Sequence, residues 1–155
     1  MTLKPGEQAP PFEGTDQNGR KISLKEFRGK RVVLYFYPKD MTPGCTAQAC
    51  NLRDHYSELK KAGFEVIGVS TDNEASHKKF EQKYDLPFHL LADPDKKIVT
   101  AYGVYGEKKF MGRTFLGTHR TTFLIDEHGF LRTILTKPDT KNHTSQVLEA
   151  WKSSQ

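Results

Sequence analysis

Val32-Val33-Leu34-Tyr35-Phe36-Tyr37 is an unbroken apolar and aromatic run, and Pro38 ends it. β-Branched and aromatic residues without polar alternation make a strand buried on both faces, and such a strand needs a sheet covered above and below. A second run of this kind follows at Glu65-Val66-Ile67-Gly68-Val69-Ser70. Between the two, Leu52, Tyr56 and Leu59 recur at i, i+4 and i+7. That spacing predicts a helix from about Cys45 to Lys61, terminated by Gly63. Strand, helix and strand in this order form a parallel crossover unit.

The order continues beyond it. Asp72-Asn73 offers a cap for a helix to about Tyr84, closed by Pro87. Phe88-His89-Leu90-Leu91 reads as a short strand and Lys97 to Tyr102 as a short helix. Thr121-Thr122-Phe123-Leu124-Ile125 and Phe130-Leu131-Arg132-Thr133-Ile134-Leu135 flank Asp126-Glu127-His128-Gly129 as an antiparallel pair, and a last helix is expected from about Asn142 to Lys152. Residues 1–31 are an irregular lead-in. Asp16-Gln17-Asn18-Gly19-Arg20 is expected to be a hairpin turn there, since Asn-Gly tolerates the positive φ angles of tight hairpins. The pattern is that of an α/β chain with a thioredoxin-like fold, a central mixed β-sheet flanked by helices and an N-terminal β-hairpin extension. No repeat, low-complexity tract or linker divides the 155 residues, so 1–155 is expected to be a single domain.

The apolar runs are too short for a bilayer, which takes about 20 residues, and Met1-Thr2-Leu3-Lys4-Pro5-Gly6 contains no apolar leader core. Membrane insertion and classical secretion are therefore not expected. Lys and Arg number 24 against 19 Asp and Glu. That excess would suit a nucleic-acid partner, but the doublets Lys60-Lys61, Lys78-Lys79, Lys96-Lys97 and Lys108-Lys109 are scattered among acids rather than gathered in a stripe. A solvated basic surface is the reading they support. Two cysteines cannot frame a small secreted fold, so a reducing, cytoplasmic setting with free thiols is expected.

Cys45 stands in the first turn of a helix that directly follows a buried strand, in Pro38-Lys39-Asp40-Met41-Thr42-Pro43-Gly44-Cys45. A helix start presents unsatisfied N–H groups and the positive end of the dipole, which favour the thiolate, the reactive form of cysteine. Thr42 can aim a hydroxyl at whatever the sulfur attacks. Cys50 completes a C-x4-C spacing, which is neither the C-x2-C of a dithiol motif nor the usual pairing of structural zinc. His55, His77, His89, His119, His128 and His143 could supply zinc nitrogens, yet nothing in their spacing selects them. On a regular helix, residues five apart have Cα atoms roughly 8.6 Å apart. A disulfide needs less than about 7 Å, so the two cysteines can join only if the helix opens.

Pro38-x3-Thr42-x2-Cys45 resembles the peroxidatic loop of the peroxiredoxins. Thr42-Pro43-Gly44-Cys45-Thr46-Ala47-Gln48-Ala49-Cys50-Asn51-Leu52-Arg53-Asp54 is similar to their bacterioferritin comigratory protein, or peroxiredoxin Q, branch. The likeness extends to Gly103 to Gly112 and to His119 to Asp126, with Tyr105 where tryptophan is frequent. The resemblance implies a thiol-dependent peroxidase that reduces hydrogen peroxide and organic hydroperoxides. In it Cys45 is the peroxidatic nucleophile, Thr42 hydrogen-bonds the peroxide, Pro38 walls the pocket from water and Arg120 stabilises the thiolate and the polarising O–O bond. Cys50 resolves the sulfenic acid as an intramolecular Cys45–Cys50 disulfide, and thioredoxin or a similar dithiol reduces it. The resemblance implies a monomer and no metal or organic cofactor. Two other readings compete: a general dithiol-disulfide oxidoreductase, and a non-enzymatic redox-sensing or binding protein.

Overall fold

In a computed structural model that describes residues 2–154, the elements run β1 (Glu13–Thr15), β2 (Lys21–Ser23), β3 (Arg31–Phe36), α1 (Pro43–Asp54), α2 (Tyr56–Lys61), β4 (Phe64–Ser70) and α3 (Glu74–Tyr84). They continue with β5 (His89–Ala92), α4 (Lys97–Ala101), β6 (Tyr105–Phe110), β7 (Arg113–Thr118), β8 (Thr121–Ile125), β9 (Leu131–Leu135) and α5 (His143–Ser153). Met1 and Gln155, the ends of the expected domain, lie outside the described residues.

One seven-stranded sheet has the order β2-β1-β5-β4-β3-β8-β9. β3 pairs parallel with β4 and antiparallel with β8, so the sheet is mixed, as expected, and the run that begins at Val32 lies near its middle. Alternate residues of that run serve opposite faces, the period of a strand. Val32, Leu34 and Phe36 pack with Ile67, Val69 and Phe123 against Ile98, Val99 and Tyr102 of the α4 region. Val33, Tyr35 and Tyr37 pack on the other face with Cys45, Ala49 and Leu52 of α1, Phe80 of α3, and Val147 and Trp151 of α5. This is the thioredoxin-like architecture, with β1 and β2 forming the N-terminal hairpin.

Four details depart from the sequence expectations. The helix expected over Cys45–Lys61 is two, because His55 leaves helical geometry at φ −113° and ψ 19° between α1 and α2. Asp85 ends α3 in the left-handed conformation at φ 51°, ahead of Pro87. In the Asp16–Arg20 turn only Gly19 takes a positive φ, and Asp16 Oδ1 accepts the backbone N–H groups of Asn18 and Arg20 at 2.9 and 3.0 Å. This Asp-centred turn replaces the tight Asn-Gly geometry. Finally, β6 and β7 pair with each other as a separate ribbon that sequence patterning did not indicate.

Candidate active site

The chain leaves β3 at Phe36, Tyr37 still donates its N–H to the Val69 carbonyl at 3.1 Å, and Pro38 to Met41 then turn the backbone into α1. Asp40 anchors this turn. Its Oδ1 accepts from the Tyr37 hydroxyl at 2.6 Å, its Oδ2 accepts from the Ser76 hydroxyl at 2.8 Å and faces His77 Nδ1 at 2.7 Å, and its N–H donates to Asp72 Oδ2 at 2.8 Å. Met41 holds φ 67°, a conformation that a side chain disfavours, and the neighbouring anchor maintains it. Thr42 is the extended N-cap of α1 and Pro43 its first residue, where a missing N–H costs nothing. Cys45 therefore falls in the first turn, with 1% of its surface exposed.

Arg120 reaches the sulfur because of the sheet. Thr121 pairs with Phe36, so the residue before β8 lies beside the residues that follow β3. Arg120 Nη2 donates to Cys45 Sγ at 3.3 Å, and Nη1 donates to Gln48 Oε1 at 2.7 Å. A Cβ at residue 44 would stand 3.2 Å from Nη2, so Gly44 leaves the guanidinium room. A permanent positive charge and a helix start thus converge on one buried sulfur, an arrangement that stabilises a thiolate.

The other expected residues flank Cys45 along the chain. Thr42 Oγ1 donates to the Lys39 carbonyl at 2.8 Å, not to the sulfur. Pro38 is half-buried at the end of β3. Cys50 is half-buried, and neither cysteine is bonded to the other. Three residues that sequence reasoning passed over also shape the site. Gln48, wholly buried one turn beyond Cys45, orients Arg120, and the i+3 spacing on α1 is the signal that could have found it. Tyr35 is wholly buried with its hydroxyl unpartnered; burial pushes this phenol well above its ordinary range, and charge on Cys45 acts the same way. Lys108 of β6 donates to the Thr118 carbonyl at 2.9 Å, and its pKa is lowered by burial and then by Arg120.

Asp40, Asp72 and His77 place ligand-type atoms within 4.8 Å of one another. Those atoms already serve each other and the hydroxyls of Tyr37, Ser70 and Ser76, while His77 Nε2 donates to the Leu91 carbonyl at 2.9 Å. The cluster reads as the anchor of the loop that leads to Cys45.

Residues 5–134 match the family described as AhpC/TSA. Peroxiredoxin Bcp of Escherichia coli (strain K12) is 49% identical over 146 residues, 94% of each chain. Peroxiredoxin Bcp of Bacillus subtilis (strain 168) is 41% identical over 152 residues, 98% of this chain and 97% of that one. Bacterioferritin comigratory protein of Xanthomonas campestris, solved as trapped intermediate and ligand complexes bearing on its alkyl peroxide reduction activity, superposes with a TM-score of 0.88. It is 31% identical, with 98% of this chain and 100% of that one covered.

Proposed function

The chain belongs to the AhpC/TSA family and is a thiol-dependent peroxidase, and we propose that Cys45 is its peroxidatic nucleophile and Cys50 its resolving thiol. The observation that carries this reading is the 3.3 Å contact between Arg120 Nη2 and Cys45 Sγ at the head of α1.

The Cys45 thiolate attacks one peroxide oxygen. The S–O bond forms as the O–O bond breaks, and the other oxygen leaves as hydroxide or alkoxide and takes a proton, giving water or an alcohol. The peroxide is reduced by two electrons and the sulfur is oxidised to a sulfenic acid. Arg120 faces the negative charge that spreads from sulfur to the departing oxygen, held in place by Gln48 so that no reorganisation is needed. On this reading the Thr42 hydroxyl exchanges the Lys39 carbonyl for the peroxide, and Pro38 limits water at the end of β3.

Cys50 then attacks the sulfenic sulfur. The S–S bond forms, the S–O bond breaks, and hydroxide leaves as water after protonation. A dithiol of the thioredoxin type returns both cysteines to thiols by exchange. Family membership implies the peroxide substrate and this kind of reductant, and the Xanthomonas campestris relative supports alkyl hydroperoxides as substrates. We read residues 1–155 as one domain, acting as a monomer in the cytoplasm without metal, organic cofactor, membrane or nucleic acid.

The test is the Cys50→Ser variant, which should consume one equivalent of peroxide and stop at a sulfenic acid trappable at Cys45. If thioredoxin recycled that variant as fast as the wild type, Cys50 would not be the resolving residue.

A further inference from the structure

One residue clasps the reactive helix to α5, and it directly follows Cys50. Asn51 Oδ1 accepts the backbone N–H of Thr144 at 2.8 Å, and Asn51 Nδ2 donates to the Lys141 carbonyl at 2.9 Å. Thr144 Oγ1 returns a hydrogen bond to the Asn51 carbonyl at 3.3 Å. Thr144 is the second residue of α5, so its N–H is one of those a helix start leaves without an internal partner. The N-cap Asn142 makes no side-chain capping bond. The start of α5 is therefore capped from α1. Thr144 is 2% exposed, and its neighbour His143, wholly buried, bonds Thr122 Oγ1 through Nε2 at 2.9 Å.

Both cysteines lie within the single helix α1, where regular geometry keeps their Cα atoms roughly 8.6 Å apart, beyond the reach of about 7 Å for a disulfide. Joining them opens the turn that contains Asn51. The break at His55 and the buried Leu59 of α2 limit how far the opening spreads toward the C-terminus. Opening moves both the side chain and the carbonyl of Asn51 away from Thr144, so the cap is lost with the turn.

We propose that Asn51 is a positioning residue for the second half of the cycle, a latch that keeps α1 closed until Cys50 attacks and whose release uncaps α5. The proposal rests on the reading of Cys50 as the resolving thiol. A tighter latch prolongs the sulfenic acid, which a second peroxide can oxidise to sulfinic acid while itself being reduced to water or alcohol. The latch thus sets the ratio of disulfide to sulfinic acid at a given peroxide concentration, and it makes the start of α5 sensitive to the redox state.

Amide hydrogen exchange of the full-length protein, reduced and after one equivalent of hydrogen peroxide, tests this together with mass analysis of Cys45 at excess peroxide. In the wild type, oxidation should speed exchange at Thr144 to Val147 by tenfold or more. Reduced Asn51→Ala, whose new residue is a good helix former, should show that faster exchange already and should yield severalfold less sulfinic acid. Asn51→Asp keeps an acceptor for the Thr144 N–H and should restore most of the protection. A wild-type disulfide with α5 as protected as in the reduced form would overturn the latch alone, as would an unchanged product ratio in Asn51→Ala. Two free thiols in the wild type after peroxide would overturn the role of Cys50 and the latch with it.

Discussion

Arg120 is held at the sulfur by a missing side chain at Gly44 and a buried acceptor at Gln48. It is the permanent cation hydrogen-bonded to Cys45, so its removal takes away both a donor and a charge. Arg120→Met should lower the second-order rate with peroxide by about 10²-fold or more, the usual effect of losing one preorganised donor. Stopped-flow rates check this, and an unchanged rate would remove Arg120 from the site. His143 offers a second residue-scale test. Burial lowers its pKa to about 4, the Gln146 hydrogen bond opposes the shift, and the charge of Arg120 adds to it. The unfolded chain therefore binds this proton first, near pH 6.5, and the folded protein only near pH 4. Stability is untouched above about pH 6.5 and falls as pH drops through this window, by about 2 kcal/mol between pH 7 and pH 5. Urea unfolding at the two pH values should show that loss in the wild type and most of it removed in His143→Gln; parallel losses in both proteins would contradict the assignment.

Individual elements differ in how openly the sequence announces them, and the reason is what each one buries. β3 and β4 are buried on both faces, so their apolar runs are continuous and stand out. β6 and β7 pair only with each other and leave Phe110, Phe115 and Leu116 exposed, so Lys, Gly and Thr are interleaved without a period of two. The break at His55 was hidden because Leu52 and Leu59 stay on the buried face across it. Within the site, Cys45 and Thr42 could be read from their place at a helix start, whereas Arg120 was distinguished only by family resemblance. Its approach depends on the pairing of Thr121 with Phe36, which no local pattern carries. β4 also yields a prediction. Gly68 pairs with Tyr35, and a Cβ there would stand 2.8 Å from the phenol ring. That ring is stacked on Tyr37 at 5.4 Å and meets Phe88 edge-on at 6.1 Å, so it has little room to turn. Gly68→Ala should cost about 1–3 kcal/mol by overpacking, and a thermal midpoint at or above that of the wild type would contradict the crowding.

Across the whole molecule, the sheet sends the C-terminal end of β3 and the start of the antiparallel β8 to one edge of the core. The helices α1, α3 and α5 cover the face of the sheet on which Cys45 packs. The candidate site lies where strands end and a helix begins, while the buried runs beneath hold Cys45 and Arg120 in register. Among the described residues no helix is long and apolar enough to cross a membrane. On the proposed reading, one buried sulfur, one fixed cation and one further thiol serve a single reaction cycle that depends on Cys45. Peroxide consumption by purified Cys45→Ser, with dithiothreitol as electron donor, is the most direct measurement of that dependence. A serine hydroxyl stays protonated and attacks an O–O bond poorly, so no consumption above the buffer rate is expected, against continuous turnover by the wild type. Sustained turnover by Cys45→Ser would contradict the account.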